Sequence, residues 1–226
     1  MTSPSSDPAP APAPSHREAK KARTRAALIE VSQRLFAEKG YAATTLEEIS
    51  EQVDVRPQTL LRYFTSKADL ALAPMTSAHA ELRRYLDDPD RTVDTLTIWR
   101  EYMRRESHEM ESPTSEAISS YVHNLREFRR WADRDPVLVA MVSDVERQLR
   151  TVLAGSLARD RGVEPDDLHS TLVAALLVAG RLAVYERWLD RAPDAASLMG
   201  DQLAVVDYAV TSLPLESAGQ LLTIAT

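Results

Sequence analysis

Residues 44–67 read TTLEEISEQVDVRPQTLLRYFTSK: two short helical patterns joined by Val53-Asp54-Val55 and closed by an aromatic and basic end. Thr45 stands at the N-cap position and Glu48 follows three residues later, the sequence form of a capping box. At about 100° per residue, Leu46, Ile49, Ser50 and Val53 share one face, leaving Glu47, Glu48 and Glu51 on the other. Pro57 suits the first position of the next helix, where its missing N–H would have no partner anyway. In that helix Pro57, Leu60, Leu61 and Phe64 are expected to pack, with Gln58, Thr59, Arg62 and Tyr63 opposite them.

Two short helices, a three-residue connection and a polar outer face are the sequence form of a helix-turn-helix. The side chains suit DNA, because Gln and Arg can pair with adenine and guanine edges in the major groove. Thr45 and the free N–H groups beside it can take a phosphate. Tyr63 and Lys67 can contact the backbone, which positions the protein without reading sequence. The three glutamates would repel DNA, so only the start of their helix should approach it. Any pair of amphipathic helices in a bundle would give the same pattern.

Outward from this stretch, the chain continues to read as helix. Leu28, Ser32, Leu35, Phe36 and Lys39 fall at helical spacing, and Gly40 supplies a stop. Residues 1–15, MTSPSSDPAPAPAPS, are Pro/Ala-rich and read as a disordered tail, with ordered structure expected from near residue 17. Downstream, a fourth helix is expected after Thr65-Ser66, with Pro74 kinking or breaking it. Breaks at Asp88-Pro89, Ser112-Pro113, Asp135-Pro136, Glu164-Pro165 and Ala192-Pro193 cut the remainder into helical segments. No convincing alternation of β-branched residues appears. The expected fold is all-α: the tail (1–15), a three-helix helix-turn-helix domain (16–67) and an antiparallel helical domain (68–226).

The formal charge of −7 is unevenly placed. Residues 1–67 hold ten Lys or Arg against eight Asp or Glu, a net of +2, and the remainder seventeen against twenty-six, a net of −9. Lys20, Lys21, Arg23 and Arg25 lie in a basic stretch that either meets a polyanion or is a solvated helix face. The absence of cysteine excludes disulfides, thiolate metal sites and a cysteine nucleophile, and fits a reducing cytoplasm. No basic-then-apolar leader opens the sequence, and the apolar run Leu172–Gly180 is too short to span a bilayer, so no membrane association is expected. AGSLA at 154–158 lacks the second glycine of a nucleophile elbow, and phosphate-loop, dinucleotide and HExxH motifs are missing. His108-Glu109 and Asp166-Asp167-Leu168-His169 are isolated, so neither a metal nor another cofactor is expected.

From Arg25 through Leu70 the chain resembles the DNA-binding domain of the TetR family of transcriptional repressors. The resemblance rests on LFAEKGY (35–41), the Thr44-Thr45 pair, TLLRYF (59–64) and Ser66-Lys67 followed by an acid and Leu70. It implies a homodimer that places two recognition helices in successive major grooves of operator DNA. By position it makes Thr45, Tyr63 and Lys67 phosphate contacts and Gln58, Thr59 and Arg62 base-facing, with Arg56 at the entrance. Three residues depart from the family pattern. Asp54 replaces the usual turn glycine, Arg56 the usual Ser or Thr cap, and Leu61 a tyrosine commonly used on phosphate, so that an apolar side chain is expected to join the packing face.

Residues 126–189 resemble the effector domain of family members that bind acyl-CoA-like ligands, which implies an acyl-CoA-like or other hydrophobic effector. Trp99, Tyr102, Met103, Tyr121, His123, Trp131, Arg181 and Tyr185 are the candidate ligand residues, since aromatic and Met side chains with a few polar groups can line a helical cavity. Taken singly, each of these residue types serves more often as ordinary core than as a ligand contact. Residues 166–190 and the following helix, rich in small side chains, are the candidate four-helix dimer interface, or else an intramolecular core. Pairing there would bring Arg181 to the partner surface, opposite Glu186 or Asp190. The reading is a cytoplasmic ligand-responsive repressor, with a helical adaptor or helical enzyme as the competing classes.

Overall fold

A computed structural model describes residues 15–108, 135–191 and 195–213. All the regular structure in them is helical: α1 (His16–Lys39), α2 (Leu46–Gln52), α3 (Pro57–Leu61), α4 (Lys67–Asp87), α5 (Thr95–His108), α6 (Pro136–Arg161), α7 (Leu168–Arg191) and α8 (Ala195–Ser212). Local chemistry sets most of the boundaries. The Ser15 hydroxyl and Glu18 carboxylate exchange hydrogen bonds with each other's backbone N–H and start α1. Gly40, at φ 87°, ends it in a conformation that other residues resist. Ser66, Asp135 and Asp167 cap α4, α6 and α7 by accepting from Asp69 N (3.0 Å), Val137 N (2.9 Å) and Ser170 N (2.8 Å).

Two cores form. Leu28, Leu35 and Phe36 of α1 meet Ile49 of α2, Leu60 of α3, Phe64, and Leu70 and Leu72 of α4. Leu138, at the start of α6, is fully buried in this same core. The second core joins Leu82 and Leu86 of α4, Trp99 and Met103 of α5, Leu149, Leu153 and Leu157 of α6, Val173 and Leu177 of α7, and Val206 of α8. Helix α4 therefore belongs to both, with exposed Pro74 between its two buried stretches.

Of the kink or break expected at Pro74, the break does not occur, and α4 continues through the proline. The proline costs the helix one donor, and buried residues flank it on both sides, Leu70 to Ala73 before it and His79, Leu82 and Leu86 after it. Cross-links from α1 flank the site: Gln33 Nε2 donates to the Ala71 carbonyl (3.3 Å) and Arg25 Nη1 to Ser77 Oγ (3.2 Å). The breaks at Ser112-Pro113 and Ala192-Pro193 lie outside the described residues.

Candidate nucleic-acid interface

The turn between α2 and α3 is closed by Asp54 N–H donating to Glu51 O (3.1 Å) and Val55 N–H to Ser50 O (2.9 Å). Asp54 has φ 55°, and it is the only non-glycine with positive φ among the described residues. An aspartate tolerates that left-handed conformation better than most residues, so the turn forms without glycine. Arg56 stands at the N-cap of α3 with no side-chain capping bond, leaving its exposed guanidinium beside the helix start.

Only half of the expected capping box of α2 is present. The Thr45 hydroxyl accepts from Glu48 N (3.2 Å), but the Glu48 carboxylate pairs with Lys39. That pair links α2 to the end of α1 and draws one acidic charge to the side.

Helix α3 has five residues, which is too few for periodicity to define its faces. Leu60 and Phe64 are buried, Thr59 and Tyr63 are half-buried, and Pro57, Gln58, Leu61 and Arg62 are exposed. Leu61 is 50 % exposed, so it does not join the packing face. Leu60 and Phe64, four residues apart, turn to the core, and Leu61, about 100° round the helix from Leu60, falls on the solvent side. The outward surface therefore carries two rows one turn long, Gln58 with Arg62 and Pro57 with Leu61.

Lys67 differs from its expected role on phosphate. Its ammonium donates to the carbonyls of Tyr41 (2.8 Å), Thr44 (3.0 Å) and Ala42 (3.5 Å) and lies 4.3 Å from the Tyr41 ring centroid. Its three donors are thus turned onto the loop leading to Thr45, and Lys67 positions α2 from within the protein. Burial lowers its pKa, while Asp135 acts in the opposite sense. Burial and the same carboxylate push the Tyr41 hydroxyl up to about 12. The N-cap of α6 is therefore electrostatically coupled to the loop that precedes α2.

Arg25 is also turned inward. Besides bonding Ser77, its guanidinium sits 5.2 Å from the Phe64 ring centroid, which ties α1 to α4 and removes it from the expected basic surface. Lys20, Lys21 and Arg23 are exposed on the first turns of α1.

In the second core, Trp99 and Met103 are each only 1 % exposed and pack as core. Tyr102 is half-buried, 5.6 Å from the Trp99 ring and 6.4 Å from that of His79. It lines a groove of about 390 Å³ between α4 and α5, with Leu82, Tyr85, Ile98, Glu101 and Arg105. Sequence reasoning misses Tyr85 and Arg105; the signal that could find Tyr85 is the helical spacing of Ala78, Glu81, Leu82 and Tyr85 after Pro74. Arg181, expected opposite Glu186 or Asp190 of a second copy, has a counter-charge within its own chain. It is buried, pairs with Glu146 of α6 at 3.6 Å, and lies 5.2 Å from the ring centroid of Tyr185 on its own helix. A buried guanidinium needs such a partner, and Glu146 belongs to no motif that would signal the role. Tyr121, His123 and Trp131 lie outside the described residues. Among the described residues no group of His, Asp and Glu could hold a metal ion.

Among the described residues one helix, within Leu168–Trp188, is long and apolar enough by composition to cross a membrane. Its inward side is core, and it carries the buried Arg181 that pairs with Glu146.

Residues 28–73 match the family model for bacterial regulatory proteins of the tetR family, and residues 123–210 match the MftR C-terminal domain. The HTH-type transcriptional regulator TtgR of Pseudomonas putida is 28 % identical over 200 residues, 86 % of this chain and 93 % of its own. The HTH-type transcriptional regulator TcmR of Streptomyces glaucescens is 28 % identical over 177 residues, 78 % of this chain and 77 % of its own. Among solved structures, the SmeT–triclosan complex shares the fold with a TM-score of 0.60 at 21 % identity, covering 84 % of this chain and 91 % of that one.

Proposed function

The chain belongs to the TetR family of bacterial regulatory proteins, and we propose that it is a homodimeric repressor released from its operator by a small hydrophobic molecule. It is a helix-turn-helix transcriptional regulator and not an enzyme. The observation that carries the DNA-reading assignment is the outward face of α3. Gln58 and Arg62 stand there one turn apart over a core formed by Leu60 and Phe64. Arg62 and Gln58 supply base-edge contacts, Arg56 adds positive charge at the helix start, and Thr45 and Tyr63 reach the backbone. Lys20, Lys21 and Arg23 extend the basic side toward flanking phosphates.

Apolar exposure on α7 and α8 supports pairing with a second copy. Leu168, Leu172, Leu182 and Tyr208 are 70, 41, 43 and 66 % exposed, an arrangement that suits an isologous interface. For the effector, the groove at Tyr102 and Tyr85 has an apolar floor, and triclosan in the related SmeT complex supports a hydrophobic class. The acyl-CoA-like class is the narrower reading carried by residues 126–189. The location we assign is the cytoplasm, where operator DNA is reached.

The mechanism is a population shift. An effector that binds more tightly to dimers with wrongly spaced recognition helices withdraws protein from the operator in proportion to that preference. Helix α4, crossing both cores at Pro74, and the start of α6, buried at Leu138 in the N-terminal core, are the coupling elements. Mass spectrometry of small molecules that co-purify with the full chain, followed by their addition to a preformed operator complex, tests this. Release supports the reading. A complex unmoved by every such molecule leaves an effector-independent regulator, and failure to form any selective complex leaves a helical adaptor.

A further inference from the structure

We infer that Leu61 reads the 5-methyl group of a thymine in each operator half-site, with Pro57 as the second wall of the contact. The inference rests on the assignment of α3 as the DNA-reading helix. It starts from an exposed apolar row in an unexpected place. Leu61 is 50 % exposed while its neighbours Leu60 and Phe64 are buried at 0 and 2 %. Pro57 is exposed four residues earlier, so the two share one line along the helix. Immediately beside them run Gln58 and Arg62, also four residues apart and exposed. An apolar row within a face that carries two arginines, Arg56 and Arg62, suits a surface that is itself polyanionic outside and partly apolar within.

The major groove is such a surface. Its edges present hydrogen-bonding groups to Gln and Arg, and its one apolar feature is the thymine methyl, which aliphatic side chains contact. Leu61 cannot hydrogen-bond a phosphate, as a tyrosine hydroxyl at this position could. An apolar side chain here therefore suits a sequence-reading contact and not a positioning one. The thymine should neighbour the bases read by Gln58 and Arg62, because the two rows are about 100° apart on one short helix.

The test uses the full-length protein and duplexes selected by it from random DNA. Each thymine of the selected site is then replaced singly by deoxyuridine, which removes only the methyl group. For the native protein, one thymine per half-site should show about a fourfold loss of affinity, the factor expected for one buried methyl group. Leu61→Ala should bind the thymine site about as weakly as the native protein binds the uracil site and should no longer distinguish the two. Leu61→Met, still apolar, should retain the discrimination. Identical thymine-to-uracil profiles for native protein and Leu61→Ala would overturn the inference, as would a loss in Leu61→Ala that is equal on thymine and uracil probes while discrimination persists. If random DNA yields no selected site, the assignment of α3 to DNA fails and this inference falls with it, an outcome distinct from a selected site without methyl dependence.

Discussion

The ammonium of Lys67 lies 4.3 Å from the ring centroid of Tyr41 and donates to that residue's carbonyl at 2.8 Å. Together with bonds to Thr44 and Ala42, this makes Lys67 the clamp on the loop that delivers Thr45 to the start of α2. Replacing it takes a charged donor from the Thr44 and Ala42 carbonyls, while the Tyr41 carbonyl still accepts from Thr44 N–H at 3.3 Å, and Lys67→Met is expected to destabilise the fold by about 1–3 kcal/mol. Operator affinity should fall on all sequences alike. The slope of log affinity against log salt should stay unchanged, because no phosphate contact is lost. Urea denaturation and a salt titration check both; a slope reduced by about one would return Lys67 to the phosphate backbone.

Tyr41 adds a pH signature to the same cluster. Burial, then Asp135, raises its hydroxyl from the ordinary value of 10.0 to about 12. Because the folded value is the higher, its contribution is fully present below pH 10 and is lost as pH rises toward 12. Tyr41→Phe has no proton to lose. The stability difference between native protein and Tyr41→Phe should therefore move against the native protein across that window, as read by denaturant midpoints. A difference constant with pH would contradict the assigned environment.

The turn at Asp54 stores backbone strain that glycine would relieve. At φ 55°, Asp54→Ala should cost up to about 1 kcal/mol, the part of the left-handed penalty that an aspartate escapes and an alanine does not. Asp54→Gly should be neutral or stabilising, since glycine adopts this conformation freely while losing more entropy on folding. Thermal unfolding of the two variants decides the matter. Equal destabilisation by Ala and Gly would mean that the aspartate side chain, and not its backbone, holds the turn.

Gly180 marks a close approach of α7 to α8. A Cβ placed there would collide with Val205 Cγ1 and crowd its Cγ2 at 3.2 Å, and valine is too stiff to swing away. Gly180→Ala is expected to destabilise the domain by about 1–3 kcal/mol through overpacking. Val205→Ala in the same chain should recover much of that loss, a coupling that a double-mutant cycle measures. Additive losses would show that the helices do not meet at this pair.

Much of this architecture is legible in the sequence because it is set by neighbours along the chain. Thr45, Asp135 and Pro136 mark helix starts, Gly40 marks an end, and Asp54 accepts the turn conformation, all through bonds within a few residues. What escapes reading depends on residues far apart. Nothing near Lys67 signals that its ammonium reaches back to the 41–44 loop, nor does the basic stretch reveal that Arg25 crosses to Ser77 and Phe64. Arg181 reads as a partner-surface residue because its actual counter-charge, Glu146, stands on another helix. Leu61 escapes for a different reason. In a helix of five residues an apolar side chain has too little periodic context to declare its face.

Whether the exposed row of α3 reads operator bases is decided by the affinity of Arg62→Ala across every single-base variant of a selected operator. Arg62→Ala should lose about 1–3 kcal/mol on the selected site, with preference relaxed at one base position in each half-site. An equal loss on every variant, with the preference at all positions intact, would contradict base reading by α3.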